Sequence, residues 1–177
     1  SARSVKGFDV YNALEQCSEF IEQFGGHKYA AGLTLLEANY GKFKAQFEKV
    51  VSETIDPKLL IPEISIDSQL NLTDITPKFY RIISQFAPFG PGNMTPVFMT
   101  EDMQDTGYGK QVGEDKTHLR LTATQNGKGK LVGIGFGLGD QTELIKNKKT
   151  FKAAYTIDEN EWNGNVSLQL KLKDIKP

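Results

Sequence analysis

From Asp9 onward the apolar residues Val10, Ala13, Leu14, Cys17, Phe20, Ile21 and Phe24 recur every three or four positions, a spacing that draws one stripe along a helix. Asp9 reads as its N-cap and Gly25 as its C-terminal stop. "AAGLTLL", beginning at Ala30, is short and apolar enough for a buried strand. A second helix is predicted from about Tyr40 to Ile55, with Phe43, Phe47, Val50 and Val51 turned inward and Asn39 in the cap position. The order helix, glycine turn, strand, helix makes residues 1–60 a compact α/β piece, too small to look complete alone.

The prolines of "IDPKLLIP" mark a boundary, after which the pattern changes and residues 61–177 read as a second domain. "EISIDSQLNL" alternates Ile64, Ile66, Ser68, Leu70 and Leu72 on one face, a strand pattern. Thr76 and Pro77 supply the cap and first position of a short helix through Ile82, Ile83 and Phe86, and "APFGPGNMTP" then forbids regular structure. Five short strands follow: "VFMTEDMQDTGY", "THLRLTATQ", "KLVGIGF", "FKAAYTID" and "VSLQLKLKDI", with hairpin signals at Asn126-Gly127 and Asn163-Gly164 and one helical turn in "QTELIKN". That grammar predicts an α+β protein whose second part is a small closed β-barrel of the oligonucleotide-binding (OB) type, with a β-sandwich as the alternative.

Composition narrows the function classes. The 177 residues are 38% hydrophobic and 24% charged, the profile of an ordinary globular protein, and no apolar run approaches membrane-spanning length. "SARSVKGFDV" lacks the apolar stretch of a secretory signal, and the single Cys17 has no internal partner, so a reducing cytoplasm is expected. The net charge of −1 gives no global positive field. Cys17, His27 and His118 do not form a zinc spacing, so no metal site is expected within the chain. "GIGFGLGD" does not fit G-x-G-x-x-G and reads as a strand edge and bend packed against neighbouring backbone.

Two places carry candidate binding chemistry. Gly25 and Gly26 before His27 would expose backbone N–H groups in a turn at a helix end beside an imidazole donor, which suits a phosphate oxygen; the alternative is a plain helix stop with His27 packed on its neighbours. In "HLRLTATQ" and "VSLQLKLKD" the leucines face one way, while His118, Arg120, Gln169, Lys171 and Lys173 face the other. If those two strands are neighbours, the polar faces join into a stripe of positive charge and amide donors fit for a single-strand backbone; the alternative is the wet face of a half-buried barrel. Tyr108, Phe136, Tyr155 and Trp162 are candidates for base stacking.

"SARSVKGFDVYNAL" followed by "EFIEQFGGHKYAAGLTL" resembles the DHH-associated domain of the DHH phosphoesterase superfamily. "ISQFAPFGPGNMTPVF", "GKQVGEDKTHLRL", "VGIGFGLGD" and "LQLKLKDIKP" look like the OB domain of RecJ-like single-strand-specific exonucleases, and this order of motifs covers essentially the whole chain. Met94 stands where that family usually has proline, and Ala2 where glycine is common.

The resemblance implies the C-terminal, substrate-binding part of a 5′-to-3′ single-stranded-DNA exonuclease of DNA repair and recombination, inactive without its N-terminal DHH domain. It implies that Arg3, Ser4, Gly25, Gly26 and His27 contact the phosphate being cleaved, His27 donating to an oxygen as charge develops. The catalytic Mn2+ or Mg2+ would belong to the missing DHH domain. The implied partners are single-stranded DNA, that domain, a single-strand-binding protein and a helicase. A non-catalytic OB adaptor, or part of a small-nucleotide phosphodiesterase, are the alternatives.

Overall fold

A computed structural model describes residues 1–147 and 149–177. By its internal contacts the chain divides into two compact units, Ser1–Glu63 and Ile64–Pro177.

The first unit holds β1 (Ala2–Arg3), α1 (Val10–Glu15), β2 (Gln23–His27), β3 (Ala30–Thr34) and α2 (Tyr40–Thr54). Asp9 caps α1 as expected, its carboxylate accepting the Asn12 N–H at 3.0 Å. The helix, however, ends at Glu15 rather than at Phe24. A 3-10 turn, Ser18–Phe20, breaks the stripe, and Gly25 and Gly26 lie within strand β2, not in a turn at a helix end. The periodicity persists because Phe24 and Ile21 still face the same core as Val10 and Leu14. They reach it from a strand and its approach, so a stripe of buried residues survives a change of secondary structure. Asn39 precedes α2 but makes no side-chain capping bond. The sheet runs β1-β3-β2, antiparallel throughout, with Ala31, Phe24 and Leu33 packed against the helices' Val10, Leu14, Phe43 and Phe47.

The second unit contains β4 (Ser68–Gln69), α3 (Pro77–Ser84), β5 (Phe98–Asp105), β6 (Lys110–Val112), β7 (His118–Gln125), β8 (Lys128–Gly135), α4 (Thr142–Ile145), β9 (Phe151–Trp162) and β10 (Asn165–Lys176). The strand expected from Glu63 shrinks to two residues, paired in parallel with β5 as Ser68 with Phe98 and Gln69 with Met99. Backwards the ladder ends on a side chain: the Asp67 N–H still donates to the Val97 carbonyl at 2.8 Å, but the Val97 N–H donates to the Asp67 carboxylate, also at 2.8 Å, in place of a backbone carbonyl. Thr76 caps α3 from the position before Pro77, accepting from Phe79 N–H at 3.2 Å.

Five strands close a ring: β5 pairs with β7, β7 with β8, β8 with β10, β10 with β9 and β9 again with β5. Every pair is antiparallel except β8 with β10, and α4 lies between β8 and β9 in the chain. This is the OB barrel, as the sequence pattern predicts. Both Asn-Gly turns take positive φ at both residues, 52° and 73° at Asn126-Gly127, 50° and 76° at Asn163-Gly164, the geometry that matches strand twist in a two-residue hairpin. Inside the ring Met103, Leu119, Leu121, Phe151, Tyr155 and Leu170 are fully buried, each such side chain contributing about 1.5–3 kcal/mol. Gly139 is forced: a Cβ there would stand 2.4 Å from the Lys116 carbonyl oxygen. Among the described residues no helix is long and apolar enough to cross a membrane.

Candidate nucleic-acid interface

In the first unit the register decides which side chains meet. Arg3 and His27 both pair with Ala30, one from each side, so they flank it on one face of the sheet, about 10 Å apart at the backbone. The next row on that face is Gly25 opposite Gly32, and a Cβ added at either would meet nothing within 4 Å. The result is a side-chain-free floor with Arg3 and His27 at the two sides of one end and Gln23 and Thr34 at the other. A shallow groove of about 380 Å³ runs over Gly25, Gly32, Gln23, Thr34 and Ser1. Gly26 is a different kind of glycine. Its φ is +141°, and a Cβ would come within 2.6 Å of the Ala31 Cα, so the backbone itself requires glycine there.

The imidazole is oriented by its own hairpin. His27 Nδ1 accepts the Tyr29 N–H at 3.3 Å, which leaves Nε2 to carry the proton of the neutral ring and to act as the outward donor. Tyr29 meets the His27 ring edge-on, and the Lys28 ammonium lies 4.8 Å from the Tyr29 ring centre. Lys28 adds a cation to this hairpin that the Gly-Gly-His pattern did not single out. Ser4 is engaged locally, its hydroxyl donating to the Phe8 carbonyl at 2.7 Å and its N–H to the Tyr29 carbonyl at 2.9 Å. Because β2 is an edge strand, every other N–H along Gly25, Gly26 and His27 turns away from the sheet.

In the barrel, alternation along β7 and β10 is as read from sequence: Leu119, Leu121, Leu170 and Leu172 are buried, Arg120, Lys171 and Lys173 exposed. The two strands are not neighbours, however. Strand β8 separates them, pairing Arg120 with Ile134 and Ile134 with Lys171. The row across the outer face is therefore Lys110, Arg120, Ile134, Lys171 and Thr156, cations on both sides of an apolar residue. One row over lie Thr122, Val132 and Gln169. The continuous polar stripe expected from sequence is thus split by a hydrophobic centre, because the parallel β8 to β10 pairing that closes an OB ring inserts a strand between them.

The aromatic candidates separate equally clearly. Tyr155 is fully buried and its hydroxyl lies 2.6 Å from Thr100 Oγ1, which itself donates to the Leu70 carbonyl, so Tyr155 is core and not a stacking platform. Burial first, then the Asp74 charge, push its phenol up to about 12, against the opposing effect of the Thr100 bond. Tyr108, Phe136 and Trp162 are each more than half exposed. Phe136 meets the His118 ring edge-on at 5.1 Å, and His118 Nδ1 accepts the Gly137 N–H at 3.2 Å, which again presents Nε2 outward. The described residues hold no group of three or more His, Cys, Asp or Glu fit for a metal ion.

A second groove, of about 260 Å³, lies between α3 with the following Pro/Gly loop and the outer side of β9 and β10; Tyr80, Phe89, Thr95, Lys171 and Lys173 are among its lining residues. In that loop Asn93 Nδ2 donates to both the Phe86 and Pro88 carbonyls, holding the turn closed.

Known proteins bear on both units. The chain is 29% identical over 98% of its length to the single-stranded-DNA-specific exonuclease RecJ of Bacillus subtilis, and 31% identical over its whole length to the protein of that name from Escherichia coli K12. It spans 22% and 31% of those relatives' lengths. The crystal structure of RecJ in complex with Mg2+ from Thermus thermophilus superposes on 99% of the chain with a TM-score of 0.75 and 26% identity, using 26% of that protein. Residues 66–174 match the RecJ OB domain, the span that holds the five-stranded ring and its cation-flanked outer face, and by that match the chain belongs to the RecJ family.

Proposed function

We propose that this chain is the substrate-binding part of a RecJ-type exonuclease, its barrel holding single-stranded DNA and its first unit, the C-terminal part of a DHH-associated domain, holding the phosphate under attack. The observation that carries the proposal is the outer row Lys110, Arg120, Ile134, Lys171 beside the exposed Phe136 and Tyr108. Cations that neutralise phosphates around an apolar centre, with exposed rings beside them, bind a strand without reading its bases, because every base has a face to stack. The same surface would grip a duplex poorly, since the exposed rings of Phe136 and Tyr108 need unpaired bases to stack on.

In the first unit, Arg3 and the His27 Nε2 proton supply donors from opposite sides of Ala30, the Gly25-Gly26 pair supplies one outward edge-strand N–H, and Ser4 ties the end of β1 to the hairpin. A phosphoryl oxygen gaining charge in the transition state is stabilised by such donors, and more strongly than in the ground state. The catalytic Mn2+ or Mg2+ would be held by the DHH domain. The wider reading follows from kinship with RecJ: 5′-to-3′ polarity, a place in DNA repair and recombination in the cytoplasm, cooperation with a single-strand-binding protein and a helicase, and no activity for this part alone.

The test is steady-state kinetics of the full exonuclease on an oligothymidylate. His27→Gln is expected to lower kcat by about 10²-fold with KM little changed. Arg120→Gln with Lys171→Gln is expected to raise KM instead. A His27→Gln enzyme with unaltered kcat would remove the phosphate role.

A further inference from the structure

We infer that the groove between the Pro/Gly loop and strand β10 is a further nucleotide subsite, sharing Lys171 with the row centred on Ile134 and extending it towards Lys173 and Phe89. The inference rests on the reading of the barrel as a single-strand holder and adds to it a path and a base position.

Three observations converge. Lys171 and Lys173 both line the groove, and two residues along one strand set their attachment points about 6–7 Å apart, a step close to that between successive phosphates of an extended single strand. A register shift in the β9 to β10 ladder falls between Leu172 and Asp174, with Lys173 as the residue passed over. Such a bulge re-aims a side chain, and here the side chain lines the groove. The lining also sets two ammonium groups against one carboxylate, Asp158, whose Oδ1 already accepts the Glu159 N–H at 2.9 Å. Neither lysine has an ion-pair partner among the described residues.

The opposite wall supplies what a base needs. Phe89 and Tyr80 present ring surface, and Thr95 a hydroxyl, on a loop and helix end whose conformation is fixed by the Asn93 bonds to Phe86 and Pro88. A nucleotide seated here has its phosphates on Lys171 and Lys173 and its base against Phe89. Strand β10 then carries the backbone lengthwise, with Gln169 next in line on the same face. This assigns the Pro/Gly loop a binding role. A peptide would need partners for its backbone amides, whereas the groove offers point charges and ring faces, the combination that suits a nucleotide.

The experiment uses the 177-residue chain and an oligothymidylate carrying one 5-iododeoxyuridine. Irradiation followed by peptide mapping is expected to place a cross-link on Phe89 or Tyr80. In parallel, Lys173→Gln is expected to reduce the slope of log affinity against log salt by about 0.7, the loss of one single-strand phosphate contact. Phe89→Leu is expected to weaken binding roughly fivefold or more, checked against an unchanged melting curve. Cross-links confined to Tyr108, Phe136 or Trp162, with the Lys173→Gln slope unaltered, would overturn the subsite and leave the barrel reading standing. No binding at all by the folded chain would overturn both.

Discussion

The two units build their binding surfaces by opposite means. The first does it by leaving side chains out: Gly25, Gly32 and Ala30 make a bare sheet face between Arg3 and His27, and the donors are partly backbone. The second does it by projecting side chains from a closed ring whose interior is packed to exclusion, so that each outward residue inherits its direction from a buried neighbour. A surface made of absences depends on backbone conformation, and one made of side chains depends on register. Their failure modes differ accordingly.

The sharpest way to expose the difference is within the glycine pair. Gly26→Ala places a Cβ against Ala30 and Ala31 at a φ that side chains rarely adopt, and should cost on the order of 3 kcal/mol or more in the first unit. Gly25→Ala meets open space and should change stability by less than about 1 kcal/mol, since restricting the unfolded chain offsets any loss, while intruding on the groove floor. Thermal melts followed by circular dichroism of both variants would check this. Equal losses would contradict the distinction.

Alkaline pH probes the second contrast. Tyr155 ionises near 10 when unfolded but near 12 in the barrel, so above pH 10 the unfolded state gains by losing a proton that the native state keeps. The barrel's stability is therefore intact below pH 10 and falls as pH rises towards 12, by a total of roughly 3 kcal/mol. In the first unit the fully buried Cys17 thiol is also raised from 9.0, by burial and then by the Glu19 charge. Its loss has the same sign and begins about one pH unit lower, as the ordinary thiol and phenol values dictate. Urea denaturation between about pH 8 and 12 should show the barrel's share of the alkaline loss disappear in Tyr155→Phe and the earlier share in Cys17→Ala.

Smaller is the effect of the α3 cap. Thr76→Ala removes the oxygen that accepts Phe79 N–H and should cost about 1 kcal/mol in the second unit, read as a shift of the urea midpoint. It tests whether α3, which brings Tyr80 and Ile83 to the groove, is held from its first turn.

Much of the barrel was legible because its signals are local. Asn-Gly turns and period-two alternation each act over a few residues, and both Asn-Gly hairpins and the buried leucines stand where those signals put them. Strand adjacency was not legible: nothing in β7 or β10 announces that β8 lies between them, and so Ile134 and Val132 were absent from the expected face. The three-residue β6 hides among Gly107, Gly109 and Gly113, where turn residues mask a short strand. In the first unit the periodic stripe overran its helix because a strand returned Phe24 to the same core. Lys28 gave no pattern at all, since its place over Tyr29 depends on the hairpin's tightness.

What matters most is whether the barrel's outer row holds single-stranded DNA through phosphates on Arg120 and Lys171. Fluorescence anisotropy of the 177-residue chain with labelled oligothymidylate and with duplex, across a range of salt, tests it most directly. Preferential single-strand binding is expected, with a salt slope that falls by about 1.4 in the Arg120→Gln, Lys171→Gln double variant, two contacts' worth. Equal affinity for duplex, or a slope that the double variant leaves unchanged, would contradict it.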